Sequence, residues 1–149
     1  MFGPVDDRTV IRLVYVSTAT VAFGDKELRA LLAVARERNA AVSVTGMLLH
    51  DNGAFMQVLE GAPDAVEAVF ARIGRDSRHR QVIMLDRRDL DERDFPDWSM
   101  GFVDVHGTAR RLPGFRSVGE LAALAGNRAQ IDRIVAAFRN GRWHQSATP

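Results

Sequence analysis

The chain has 149 residues, 46% of them apolar, with 20 basic against 19 acidic side chains and a net charge of +1, which suits one domain with a real core. Its charges are scattered and no apolar run is long enough to span a bilayer, so neither nucleic acid nor membrane is an expected partner. The absence of cysteine excludes disulfides, thiolate metal sites, nucleophilic thiols and a covalent cysteinyl link to a cofactor. With no export signal at its start, the expected location is the cytoplasm.

Residues 1–9 are polar, with Gly3 and Pro4, and read as a flexible arm. Residues 10–17, VIRLVYVS, alternate as a strand does: Ile11, Leu13, Tyr15 and Ser17 share one face, Arg12, Val14 and Val16 the other. Asp25 is the expected N-cap of a helix whose stripe is Leu28, Leu31, Leu32 and Ala35, and Asn39 falls at the end of that stripe. Residues 42–49 predict a second strand containing Gly46, and Asp51, Asn52 and Gly53 form a hairpin turn into the next.

That next strand, FMQVLEG over residues 55–61, sets Phe55, Gln57 and Leu59 on one face and Met56 and Val58 on the other. A strand apolar on both faces lies inside a covered sheet, where an unbonded amide costs ~1–3 kcal/mol. Gln57 therefore bonds a neighbouring side chain or a bound molecule. Gly61, Ala62 and Pro63 end the strand and open a helix with the stripe Val66, Val69, Phe70 and Ile73, with Asp76 three residues further on. Residues 81–85 and 98–103 predict two more strands. Beyond a loop with Gly107 and Pro113, Leu121 and Leu124 and then Ile131, Ile134, Val135 and Phe138 predict two amphipathic helices.

The order is that of an α+β, ferredoxin-like sandwich with one added strand. The expected architecture is a five-stranded mixed sheet with two helices on one face and the two C-terminal helices on the other. The core domain takes residues 10–103, a helical cap residues 104–140 and a disordered tail residues 141–149.

GxGxxG, Walker, HExxH and GxSxG motifs are absent, and the histidines at 50, 79, 106 and 144 have no metal-ligand spacing and read as surface side chains. A polar set remains on the apolar framework: Tyr15, Ser17, Asn39, Gln57, Arg72 and Asp76. Bland roles exist for most of it. Tyr15 reads equally as a core tyrosine, Asn39 as a helix cap, and Arg72 with Asp76 as an i, i+4 ion pair.

RLVYVS (12–17), Arg38-Asn39, VTGMLL (44–49), FMQVLEG (55–61), RIGRDSRH (72–79) and WSMGF (98–102) together resemble the BLUF domains, blue-light sensors using flavin. The resemblance implies FAD held between the first two helices, on the face carrying Tyr15 and Gln57. It makes Tyr15 and Gln57 the photoactive pair and Trp98 or Met100 the light-responsive neighbour. It places Ser17, Arg38, Asn39, Gln57, Arg72, Asp76, Arg78 and His79 at the cofactor. Two positions depart from the family pattern: Arg38, where many members carry asparagine or histidine, and Ser43, where glycine is common.

The implied function is a photoreceptor, not an enzyme: light-driven electron and proton transfer from Tyr15, and a hydrogen-bond rearrangement at Gln57. Because the chain is short, output is expected through contact of its C-terminal helices with a separate signalling protein or another copy of the chain. Arg128, Asp132 and Arg139 are expected to stay available to that partner. The alternatives are a small ferredoxin-like phosphate-ester hydrolase using Arg38, Asn39 and Arg72, and an interaction module without a ligand.

Overall fold

The computed structural model describes residues 9–20, 24–51, 54–96, 100–104 and 127–140. Within them the chain forms β1 (Val10–Ala19), α1 (Asp25–Ala41), β2 (Thr45–Asp51), β3 (Ala54–Gly61), α2 (Pro63–Gly74), β4 (His79–Leu90), β5 (Gly101–Asp104) and α3 (Arg128–Asn140). The fold is ferredoxin-like α+β. Its strands lie in the order β4-β1-β3-β2-β5. β1 pairs antiparallel with β3 and β4, β2 antiparallel with β3, and β5 runs parallel to β2.

A strand with neighbours on both edges and layers on both faces has little room for polar side chains, and every residue from Val10 to Ser17 is buried. On one face Leu13, Tyr15, Leu48, Phe55 and Leu59 pack with Leu28 and Leu32 of α1 and Val66 and Val69 of α2. On the other, Val14, Val16, Met47, Leu49, Met56 and Val58 pack against Ile131, Ile134 and Val135 of α3. The strand alternation thus sorts the core into two layers, each such buried side chain contributing ~1.5–3 kcal/mol. The helix expected around Leu121 and Leu124, the loop with Gly107 and Pro113, residues 1–8 of the arm and the tail at 141–149 lie outside the described residues.

β1 runs on to Ala19 and β5 starts at Gly101, not 98; three further differences have a local reason. α1 is capped by Gly24 and Asp25 is already helical: Glu27 Oε1 accepts the Gly24 N–H at 2.9 Å, three residues back along the first turn. β2 starts at Thr45, not 42, because the chain first closes a Schellman turn. There the Val44 N–H bonds the Asn39 carbonyl at 2.9 Å, the Ser43 N–H bonds the Ala40 carbonyl at 3.2 Å, and Ser43 takes a left-handed φ of 56°. Glycine is the usual residue there, which accounts for the departure noted at Ser43.

β4 has twelve residues where the apolar pattern marked five. Its pairing with β1 slips twice, between Val14 and Tyr15 and between Val16 and Thr18, and Gln81 in the second slip has φ 55°. Each bulge resets the two-residue period, so the alternation does not run through the strand. At the other pairing, a Cβ on Gly46 would stand 1.8 Å from the Val58 carbonyl oxygen, so β2 and β3 approach this closely only with glycine.

α3 is also held by charge. Arg12, on the α3 face of β1, pairs with Asp86 at 3.2 Å and Asp132 at 2.5 Å; Arg88 pairs with Asp132 at 3.0 Å and Arg128 with Asp86 at 3.0 Å. Arg128 and Asp132 therefore bind the helix to the sheet while staying partly exposed, and the side chain of Arg139 lies outside what is described. Beside this group Glu60 is fully buried and accepts the N–H groups of Asp94 and Phe95 at 2.9 and 2.8 Å, anchoring the segment between β4 and β5. Burial pushes its carboxyl up to about 7, against the two backbone N–H bonds, which favour the charged form.

Candidate functional site

A cleft with about 830 Å³ of empty space, its solvent mouth included, lies between α1 and α2 over the strands that carry Tyr15 and Gln57. Leu31, Val34 and Ala35 line it from α1, Val69 and Ile73 from α2, and Leu48 and Phe55 from the sheet. These apolar walls come from the helix stripes and strand faces already described.

Three side chains join in a row at the sheet. The Tyr15 hydroxyl donates to Gln57 Oε1, and Gln57 Nε2 lies 3.3 Å from Met100 Sδ. Tyr15 and Gln57 are opposed in the β1/β3 register, so adjacent strands alone bring them together. All three residues are buried. Burial, and secondarily the charge of Asp76, push the Tyr15 hydroxyl pKa up, so the phenol keeps its proton at neutral pH. The Tyr15 ring packs on Phe70 at a centroid distance of 5.4 Å. Among the described residues Met100 stands beside Gln57, and Trp98 lies outside them.

Asn39 is buried and lines the cleft from the last turn of α1. Its backbone carbonyl closes the Schellman turn, in which Asn39 is still helical and Ser43 is the left-handed residue. Arg38 and Arg72 line the cleft as exposed side chains, and neither pairs with a carboxylate among the described residues. Asp76 takes Arg78 rather than Arg72 as its partner: the Arg78 backbone N–H and Nε reach Asp76 Oδ1 at 2.9 and 3.0 Å. The Arg78 guanidinium lowers the Asp76 carboxyl to about 2.

His79 is half-buried in the cleft wall, with Nδ1 2.9 Å from Ser17 Oγ and Nε2 against the Ile73 carbonyl. A carbonyl only accepts, so the neutral ring carries its proton on Nε2 and Ser17 donates to Nδ1. Ser17 reaches the cleft through His79 and does not line it. His50 is buried against Phe55, with ring centroids 5.0 Å apart. Neither histidine is the surface side chain expected, and His106 and His144 lie outside the described residues.

Sequence reasoning missed Arg36, whose Nε donates to the Met100 carbonyl at 2.7 Å. The available signal was its place four residues after Leu32, where a guanidinium ends an apolar row.

The family model of the BLUF domain, sensors of blue-light using FAD, matches residues 10–101. Photoactivated adenylate cyclase subunit beta-like protein FB of Euglena gracilis is 36% identical over 131 residues, 87% of this chain and 15% of that protein. Photoactivated adenylate cyclase subunit beta of Euglena gracilis is 42% identical over 95 residues, 63% of this chain and 11% of that protein. This chain therefore spans only a small part of the length of these cyclase relatives. Among solved structures, BlrB, a BLUF protein in its dark state, is similar with a TM-score of 0.70 at 28% identity, covering 88% of this chain and 98% of that one. The BlsA ground state gives 0.76 at 26% identity, covering 94% and 91%. The chain belongs to the BLUF family of blue-light sensors, and the cofactor of that family is FAD.

The residues present fit a flavin. Val34 is apolar yet 48% exposed on the cleft wall, a surface that a flat ring covers. The amides of Asn39 and Gln57 offer both donors and acceptors to a ring edge. Arg38 and Arg72 offer guanidinium donors to the acceptor groups of a flavin nucleotide. No helix among the described residues is long and apolar enough to cross a membrane.

Proposed function

We propose that this chain is a blue-light photoreceptor that binds one FAD in the cleft between α1 and α2 and signals without catalysing a reaction. The observation that carries the reading is the buried row from Tyr15 through Gln57 to Met100 at the foot of that cleft. FAD, when bound, supplies light absorption and an excited-state acceptor for one electron. Tyr15 would lend that electron and, by way of the Gln57 amide, its phenolic proton, and both would return to it, so that the side chain ends unoxidised. Asn39, Gln57 and Arg38 hold the ring edge, and Arg72, Asp76, Arg78 and His79 the cleft wall.

Gln57 is suited to record the event. A half-turn of its amide exchanges donor and acceptor, presenting N–H to Tyr15 and C=O to Met100 with no change of net charge. Burial keeps water from competing for either group. Output then passes to a separate signalling protein by way of β5, which Met100 directly precedes, and α3, which packs on the reverse side of β1 and β3.

The test is colour. Protein purified with FAD is expected to be yellow, to shift its visible spectrum to the red under blue light, and to recover in the dark. Protein that takes up no FAD, or takes it up and shows no reversible shift, would overturn the reading.

A further inference from the structure

Met100 sits immediately before the first paired residue of β5, and what holds it there lies on a different layer. The β2/β5 ladder begins at the Met47 and Gly101 pair and extends over four residues. The Met100 carbonyl, just ahead of that ladder, accepts the Nε–H of Arg36 at 2.7 Å. Arg36 continues the buried row of Leu28 and Leu32 along α1, so its stem runs over the core and its guanidinium reaches the sheet. It is not among the residues lining the cleft. Its contact is with the residue that touches Gln57.

The chemistry of that contact is one-sided. A thioether accepts hydrogen bonds weakly and donates none. With Gln57 Nε2 facing Sδ the contact is favourable; with Oε1 facing Sδ two lone pairs oppose each other. A Met100 held close to Gln57 therefore favours one amide orientation over the other. We propose that Arg36 is a positioning residue for the light response: by fixing the Met100 backbone it keeps Sδ against the Gln57 amide and sets how fast the rotated amide returns. The inference rests on the photoreceptor reading above and adds to it a residue outside the cofactor site.

The experiment compares FAD-loaded wild type with Arg36→Met, Arg36→Lys, Met100→Leu and the double variant Arg36→Met/Met100→Leu. Arg36→Met is expected to retain FAD, to show the red shift, and to slow dark recovery by about threefold or more, in the same direction as Met100→Leu. The double variant is expected to recover no more slowly than the slower single variant, because both changes act through one contact. Arg36→Lys, which keeps a cationic donor, is expected to lie closer to wild type. Two readouts need no light: in apo protein Arg36→Met should move the Met100 methyl resonance and lower amide protection over residues 101–104.

Wild type without a red shift would remove the photoreceptor reading itself. A normal wild-type shift with recovery of Arg36→Met unchanged, with fully multiplicative effects in the double variant, or with Arg36→Lys no better than Arg36→Met, would overturn the role of Arg36 alone. Loss of FAD from folded Arg36→Met would also overturn it, by making Arg36 a binding residue. Arg36→Gln serves the same comparison should Arg36→Met fail to fold.

Discussion

Tyr15 on β1 and Gln57 on β3 are opposed across the ladder, and the phenol of one donates to the amide oxygen of the other. Nothing but pairing of adjacent strands is needed to assemble them, so their geometry is as rigid as the centre of the sheet. Tyr15→Phe is expected to keep FAD and to lose the red-shifted state, and Gln57→Leu to behave likewise. Visible spectra in dark and light check both. Tyr15→Phe also leaves a buried amide oxygen without its donor, at ~1–3 kcal/mol, and should lower the melting temperature accordingly.

Asn39→Ala separates binding from capping. The Schellman turn uses the Asn39 backbone carbonyl, which alanine keeps. FAD affinity is expected to fall about 5- to 150-fold, for a lost bond of ~1–3 kcal/mol, while the end of α1 persists. Titration with FAD beside amide exchange over residues 39–44 distinguishes the two effects; unchanged affinity would remove Asn39 from the cofactor site.

Ser43→Gly should stabilise the protein. A left-handed residue with a Cβ costs roughly 1–2 kcal/mol, and glycine returns part of that as unfolded-state freedom, leaving a net gain of about 0.5–1 kcal/mol. A rise of a few degrees in the melting temperature is the expected result.

Glu60 gives stability a pH dependence of definite sign. Its carboxyl binds a proton near pH 7 when folded and near 4.5 when unfolded, so between those values the folded state holds more protons. Its contribution is full below about 4.5 and is lost as pH rises through about 7. Urea unfolding at about pH 5 and about pH 8 should show wild type weakening with pH, and Glu60→Gln weakening less.

Light should alter amide protection in residues 101–104 and across α3, residues 128–139. Identical exchange there in dark and light, with changes confined to α1 and α2, would rule out β5 and α3 as the output route.

Strand faces and helix stripes were legible in the sequence because β1 and β3 are covered on both sides and α1, α2 and α3 each bury one face. Gln57 stood out for the same reason: a single amide in an apolar strand has to be answered by a partner. Other features left no periodic trace. Two bulges broke the alternation of β4, and the left-handed turn at Ser43 delayed β2 by three residues. Pairings set by side-chain reach rather than spacing were equally hidden, among them Asp76 with Arg78, Asp132 with Arg12 and Arg36 with the Met100 carbonyl.

β4 and β5 are the two edges of the sheet among the described residues, and an edge strand is a template on which another chain can polymerise. β5 offers only four residues of backbone. β4 is long and carries Ile83 and Met84 exposed, yet its bulges interrupt the row of groups that a new strand would read, and Arg80, Arg87 and Arg88 place charge along it. The kinks that obscured β4 in the sequence therefore protect the molecule against fibrillar growth. Straightening β4, for example by deleting Gln81, would convert a guarded border into a sticky one.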